Sequence, residues 1–254
     1  MGTRGRAKLA VSQRISVWLL EAPGGFGDQD FHSHHAIQIT VRFAGNLALT
    51  SDGLSFSGEV IAVAPDVKHR LSADGLLGII FVEPESRTGQ TLSRGLFPEQ
   101  GLAELDDGKF LRLIDPLRHA FDGPLTRPQM LEIVSAAVDA LAPVQSVEPT
   151  DARILSIIDY AVSHLDQRVS LAQAAGAVGV YLSTGRLRHL FVEQTGLPFK
   201  TYLLWLRLVR AVSFYSEGHS LTEAAHSAGF ADSAHFSRAF KRTFGAPATT
   251  LTRL

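Results

Sequence analysis

The 254-residue chain contains no cysteine. Disulfides, thiolate zinc sites and cysteine nucleophiles are therefore excluded, a composition that fits a reducing compartment. Long hydrophobic runs are missing as well. The opening "MGTRGRAKLAVSQRISVWLLEAPGG" is basic, but its longest apolar run is Val17–Leu20. That is too short for a signal-peptide core, and no 18-residue apolar stretch occurs anywhere. The expectation is a soluble cytoplasmic protein with no membrane contact. Enzyme signatures are also scarce, with no Gly-rich phosphate loop, no nucleophile elbow and no HExxH.

What is present is a globular balance of 45% hydrophobic and 19% charged residues, long enough for one large domain or two ordinary ones. The net charge of −1 hides an asymmetry. Residues 1–150 carry 13 basic against 18 acidic side chains, and residues 151–254 carry 11 against 7. Only the second part has the charge to meet a polyanion.

From residue 11 to about 90, short β-rich runs alternate with Gly/Asp turns: "RISVWLL", "AIQITVRF", "NLALTSDGLSFSG", "EVIAVAP" and "LLGIIFVEP". Such spacing predicts an antiparallel sandwich or barrel. From Glu99 the period becomes helical. "RPQMLEIVSAAVDAL" has Thr126 as N-cap, Pro128 in its first turn, and an apolar stripe of Met130, Ile133, Val134, Ala137 and Leu141. The stripe fits either packing on its own sheet or a dimer seam. "APVQSVEPTD", 142–151, reads as a linker.

Beyond the linker everything reads as helix, and it repeats. "LAQAAGAVG" (171–179) aligns with "LTEAAHSAG" (221–229) at an offset of 50. The second helices pair Leu187 with Phe236, Phe191 with Phe240, Gly196 with Gly245 and Pro198 with Pro247 at an offset of 49. Each copy is a short helix, a turn and a second helix, which is a helix-turn-helix used twice. "TYLLWLRLVRAVSFYSEG" would hold the two units apart. Away from the apolar backs lie Thr184, Arg188 and His189 in one copy and Ser233, His235 and Arg238 in the other, followed by Lys241 and Arg242. A helix in a major groove needs this division between an apolar back and a front of donors.

Three histidines crowd "FHSHHAIQITV", 31–41, which reads as a strand. Even spacing puts His32, His34 and Gln38 on one face, with His35, Ile37, Ile39 and Val41 on the other. "GEVIAVAPDVKH" adds His69 from a neighbouring strand.

"GFADSAHFSRAFKRTFG" together with "LSTGRLRHLFVEQTGLPFKTYLLWLRLVRA" resembles the DNA-binding domain of AraC/XylS-type transcription regulators, over residues 151–254. The resemblance implies that Gly185, Arg188 and His189 face one major groove, and Ser233, Ala234, His235 and Arg238 the next. Two features depart from the family. The first turn, "GVYLS", is about two residues longer than usual, and Gly185 and Ala234 leave gaps where larger side chains could read bases. The resemblance further implies a cupin-like β-barrel that binds an effector at residues 1–100. His32, His34, Gln38 and His69 are similar to the cupin metal set, with Gln38 where a carboxylate is usual and no glycine just after Pro65. These four residues could hold a divalent metal, line a polar effector pocket, or form a hydrogen-bonded structural cluster.

The expected fold is α+β in two domains. A barrel spans 1–100, a helical and dimerising segment 101–141, a linker 142–151, and a tandem helix-turn-helix domain 152–254. The expected partners are double-stranded DNA, a small-molecule effector, a second copy of the chain, and RNA polymerase if the protein activates. The alternative is a metal-dependent cupin enzyme with a helical appendage.

Overall fold

Period-two alternation of large apolar residues builds the first half of the chain. The computed structural model describes residues 5–12, 14–26, 29–97, 101–142 and 150–248. Its strands are β1 (Arg6–Val11), β2 (Ile15–Ala22), β3 (Ile37–Ala44), β4 (Leu47–Ser51), β5 (Leu54–Phe56), β6 (Val60–Val63), β7 (Arg70–Ala73), β8 (Gly75–Val82) and β9 (Leu102–Glu104). They form two antiparallel sheets, β1-β2-β8-β3-β6-β9 and β5-β4-β7. Val17 and Leu19 of β2 join one core while Trp18 and Leu20 join the other. On β8, Ile80 and Val82 go one way and Ile79 and Phe81 the opposite way. Both faces of the larger sheet are covered, which is why its strands read as nearly continuous apolar runs.

Helices cover one face: α2 (Gly108–Ile114), a 3₁₀ turn (Asp115–His119) and α3 (Arg127–Leu141). Helix α3 begins where its cap predicts, with Thr126 N donating to Gln129 Oε1 at 2.9 Å and Pro128 in the first turn. Met130, Val134 and Ala137 are fully buried in one core with Val17, Leu19 and Ile37, and Ile133 and Leu141 pack at its edge. The dimer seam expected of this stripe is therefore corrected. Its apolar surface is already covered by the chain's own sheet.

The expected barrel boundaries shift too. Strand β1 lies ahead of the strand-rich run expected from residue 11 to about 90, α1 (Arg87–Leu96) falls within the barrel expected over 1–100, and β9 follows residue 100. "RTGQTLSRGL" has little apolar periodicity. Its start is fixed instead by Ser86 Oγ, which accepts from Gly89 N at 3.0 Å. Strand β9 has three residues, too few to show alternation.

Of the expected linker, residues 143–149 lie outside the described residues. Thr150 is buried and its hydroxyl donates to the Glu85 carbonyl at 2.8 Å. Asp151 caps α4 (Ala152–Ser163) by accepting from Arg153 N. Then follow α5 (Leu171–Ala177), α6 (Thr184–Thr195), α7 (Phe199–Ser216), α8 (Leu221–Ser227) and α9 (Ser233–Phe244). The two halves share one apolar core, in which Trp18 and Phe81 meet Trp205, Phe240 and Phe244. Among the described residues no helix is long and apolar enough to cross a membrane.

Candidate nucleic-acid interface and histidine pocket

The sequence repeat becomes a structural one. Ser170 and Ser220 start α5 and α8 with matching capping boxes, closed by Gln173 and Glu223. Ala174, Ala175, Ala224 and Ala225 are buried, so α6 and α9 can cross close to their partner helices. Gly229 (φ +79°) packs so tightly that a Cβ there would lie 2.2 Å from the Leu165 carbonyl oxygen. Helix α6 is capped by Ser183, and α9 by Asp232, whose Oδ1 accepts from His235 N at 2.6 Å. Between the units runs α7, 18 residues, or about 27 Å at ~1.5 Å per residue.

The residues expected to face DNA are available to it. Thr184, Gly185, Arg188, His189, Ala234, His235, Arg238, Lys241 and Arg242 are exposed and Ser233 is half-buried, while Leu187, Phe191, Phe236 and Phe240 are buried behind them. The first turn is one residue longer than the second. It presents Tyr181, 86% exposed. Sequence reading passed over Arg186, which is exposed near the start of α6. The 49-residue offset pairs it with His235, so the repeat itself contained that signal.

The histidines come together by a different route from a single strand. β3 begins only at Ile37, whereas His32 and His69 form an isolated bridge, with N–H···O distances of 2.9 and 2.8 Å. His32, His34 and His69 are all buried, and their ligand-capable atoms lie within 4.8 Å of one another. Each Nδ1 sits against a backbone carbonyl: Asp30 at 3.0 Å, Ala36 at 3.0 Å and Val67 at 2.9 Å respectively. Because a carbonyl only accepts, Nδ1 of His32 and of His69 carries the proton and Nε2 keeps a lone pair, the tautomer that metal-binding histidines use. His34 Nε2 lies 2.9 Å from Gln38 Oε1, an acceptor, while Gln38 Nε2 donates to Thr40 Oγ1. His69 Nε2 is buried without a partner. Burial first, then repulsion among the rings, lowers the His34 pKa to about 4 and that of His69 to about 2, and burial lowers His32 as well. All three are neutral at pH 7. An orphaned buried nitrogen costs about 1–3 kcal/mol, so this cluster has room for one more partner.

That partner is small unless the structure moves. The cavity beside the histidines is ≈ 50 Å³, with Trp18, Gln38, Phe240 and Phe244 in its walls. It suits an ion or a water, because pockets for drug-sized molecules run to roughly 300–1,000 Å³. One wall is the end of α9. Gly245 (φ +72°) lies so near that a Cβ would fall 2.4 Å from His32 Nδ1, and its carbonyl accepts from Asp30 N at 3.0 Å.

A family profile described as a helix-turn-helix domain matches residues 171–253. RhaS of Escherichia fergusonii, an "HTH-type transcriptional activator", is 39% identical over 99 residues, covering 39% of this chain and 35% of its own length. YidL of Escherichia coli K12, an uncharacterized HTH-type transcriptional regulator, is 39% identical over 106 residues, 41% of this chain and 35% of YidL. The C-terminal region is an AraC/XylS-type helix-turn-helix domain. The chain spans about a third of the length of these curated relatives. ToxT from Vibrio cholerae O395 superimposes with a TM-score of 0.60 over 99% of both chains at 12% identity. The fold is thus the two-domain fold of ToxT, an antiparallel-sheet domain followed by a helical one. ToxT structures include complexes with (E)-4-(8-methylnaphthalen-1-yl)but-3-enoic acid and with an unsaturated fatty acid.

The AraC/XylS-type domain is clamped to the sheet domain through α9, the second helix of its second helix-turn-helix unit. Lys241 Nζ pairs with Asp30 Oδ2 at 3.0 Å, but both side chains are more than half exposed. Such a pair contributes no more than about 1 kcal/mol. Aromatic packing holds the joint instead. Phe244 lies 4.9 Å from Trp18 and 5.7 Å from Phe81 between ring centroids, and 6.3 Å from the His34 ring.

A second buried cluster was not anticipated from the sequence. His35 Nε2 lies 2.9 Å from Glu85 Oε2, the Tyr202 hydroxyl donates to Glu85 Oε1, and Trp205 Nε1 donates to both oxygens of Glu83 at 2.9 Å. These contacts tie the sheet domain to α7 of the AraC/XylS-type domain. Burial pushes Glu83 well above the usual carboxylate range, helped by the charge of Glu85. Burial pushes Glu85 the same way, but bonding to His35 and Tyr202 outweighs it and holds Glu85 low.

Proposed function

We propose that the chain is a ligand-responsive transcription regulator. Its helical domain reads duplex DNA in two neighbouring major grooves through α6 and α9, and its sheet domain senses a small molecule. One observation carries this reading: α9, which bears the exposed Arg238 and Lys241, also walls the histidine pocket. An occupant larger than a few atoms displaces Phe244 and Gly245, and so moves the helix that bears Arg238 and Lys241.

In this reading His32, His34, Gln38 and His69 contact the effector and do not catalyse. The Nε2 lone pairs of His32 and His69, anchored from behind, also fit a divalent metal such as Zn²⁺, Fe²⁺ or Ni²⁺, with His34 and Gln38 beside them. The metal would supply a Lewis-acidic anchor for a polar ligand. The regulator works in the cytoplasm, pairs with a second copy on adjacent half-sites through a surface other than the buried α3 stripe, and contacts RNA polymerase if it activates. The same three histidines favour a second reading, a metal-dependent enzyme. Stoichiometric metal with substrate turnover lost in His34→Ala would establish it.

The DNA reading is tested by selecting duplexes that bind the chain and comparing variants in competition. Arg238→Ala is expected to cost about 1–3 kcal/mol on the best site and to relax its selectivity. Lys241→Ala is expected to weaken all sequences alike, since it contacts phosphate. Unchanged affinity and selectivity in Arg238→Ala would remove α9 from the interface.

A further inference from the structure

A much larger cleft lies elsewhere in the molecule. A cavity of ≈ 850 Å³ opens between the sheet domain and the helices α4 and α7. Its walls are apolar, built from Leu155, Ile158, Val162, Leu206, Val209 and Phe214, and Leu155 is 41% exposed within it. Glu83, Glu85 and Tyr202 also line it. This volume lies within the range of pockets that bind drug-sized molecules, unlike the small space at the histidines.

The acids fix what the occupant can be. Glu83 is buried, and among the described residues its carboxyl has the Trp205 indole as its hydrogen-bond donor and no ion pair. His35 has an atom within 4.8 Å of both carboxyl groups, so one imidazole serves two acids. Arg14 and Arg87 also line the cleft but are exposed, Arg210 lies over Phe214, and none of the three pairs with Glu83 or Glu85. A carboxylate ligand at this end would bring a further negative charge against Glu85, and a purely apolar one would leave acceptor sites on Glu83 unfilled. An ammonium group brings one positive charge and N–H donors.

We propose that this cleft binds an amphipathic amine, with its ammonium head on Glu83 and Glu85 and its apolar body along α4 and α7. The site goes beyond the regulator reading and is distinct from the histidine pocket. The suppressed ionisation of Glu83 agrees with it, because a neighbouring cation would let that carboxyl ionise. Since the ligand touches both domains, it bears on the same joint that holds α9.

Isothermal titration of the full chain without DNA tests the site separately from the DNA reading. The probes are decylammonium, decanoate and decanol, all below micelle-forming concentrations. Decylammonium is expected to bind once per chain, at least tenfold tighter than the other two. Glu83→Gln should lower that affinity tenfold or more while leaving decanol unchanged. Should Glu83→Gln fold poorly, Leu155→Arg provides the check: at an exposed helical position it puts a guanidinium in the cleft and should weaken amine binding to a similar degree. Decanoate or decanol binding as tightly as the amine would overturn the proposal. So would unchanged amine affinity in the variant that folds.

Discussion

Replacing Glu85 with alanine is expected to destabilise the protein by about 3–5 kcal/mol, because it leaves two buried hydrogen-bond partners unsatisfied at about 1–3 kcal/mol each. The loss leaves His35 Nε2 and the Tyr202 hydroxyl without their partner inside the joint between the domains. For a chain of this size the midpoint of thermal unfolding should fall by roughly 6–20 °C. Glu85→Gln keeps the shape and an acceptor for Tyr202, and should lose less. A fall of under about 1 kcal/mol in Glu85→Ala would mean that the His35–Glu85–Tyr202 network does not hold the joint.

Acid should weaken the chelator-treated protein well before ordinary carboxylates titrate. Burial lowers the His34 pKa to about 4 in the fold, against an ordinary value of 6.5. The unfolded chain therefore takes up a proton first. Stability from this group is complete above about pH 6.5 and declines as pH falls towards 4, by about 3 kcal/mol in all. His69 is lowered further and acts in the same direction. Glu83, raised in the fold, acts in the opposite direction over part of this window. The quantity to read is thus the difference between wild type and His34→Gln. Unfolding midpoints taken from pH 6.5 to 4.5 should fall more steeply in the wild type, and parallel curves would show that His34 is not buried as a neutral base.

Local chemistry explains what could be read ahead of the structure. Thr126, Pro128 and the stripe from Met130 to Leu141 define α3 within one segment, and the duplicated Ser-x-x-Gln and Ser-x-x-Glu caps define α5 and α8. Whether the α3 stripe faced its own sheet or a second chain was not legible, because the same residues suit either cover. The histidine set was found through spacing and resemblance, yet its geometry depends on the His32–His69 bridge rather than on one continuous strand. His35, Glu85 and Tyr202 left no local trace. They are separated by 50 and 117 residues and meet only when the domains pack. The two acids ending the apolar run of β8, Glu83 and Glu85, were the available hint, since period two puts both on one side.

The most direct test of the account is the salt dependence of DNA binding by the full chain. Duplexes enriched from genomic fragments would be titrated by fluorescence anisotropy at about 50 and about 200 mM salt. Arg186, Arg188, Arg238, Lys241 and Arg242 stand exposed on the two reading helices. If about four of them neutralise phosphates, affinity should fall by about a hundredfold between those conditions, with the enriched duplex still preferred over random sequence. Failure to enrich any duplex, or binding that ignores salt, would contradict the assignment of α6 and α9 as DNA-reading helices.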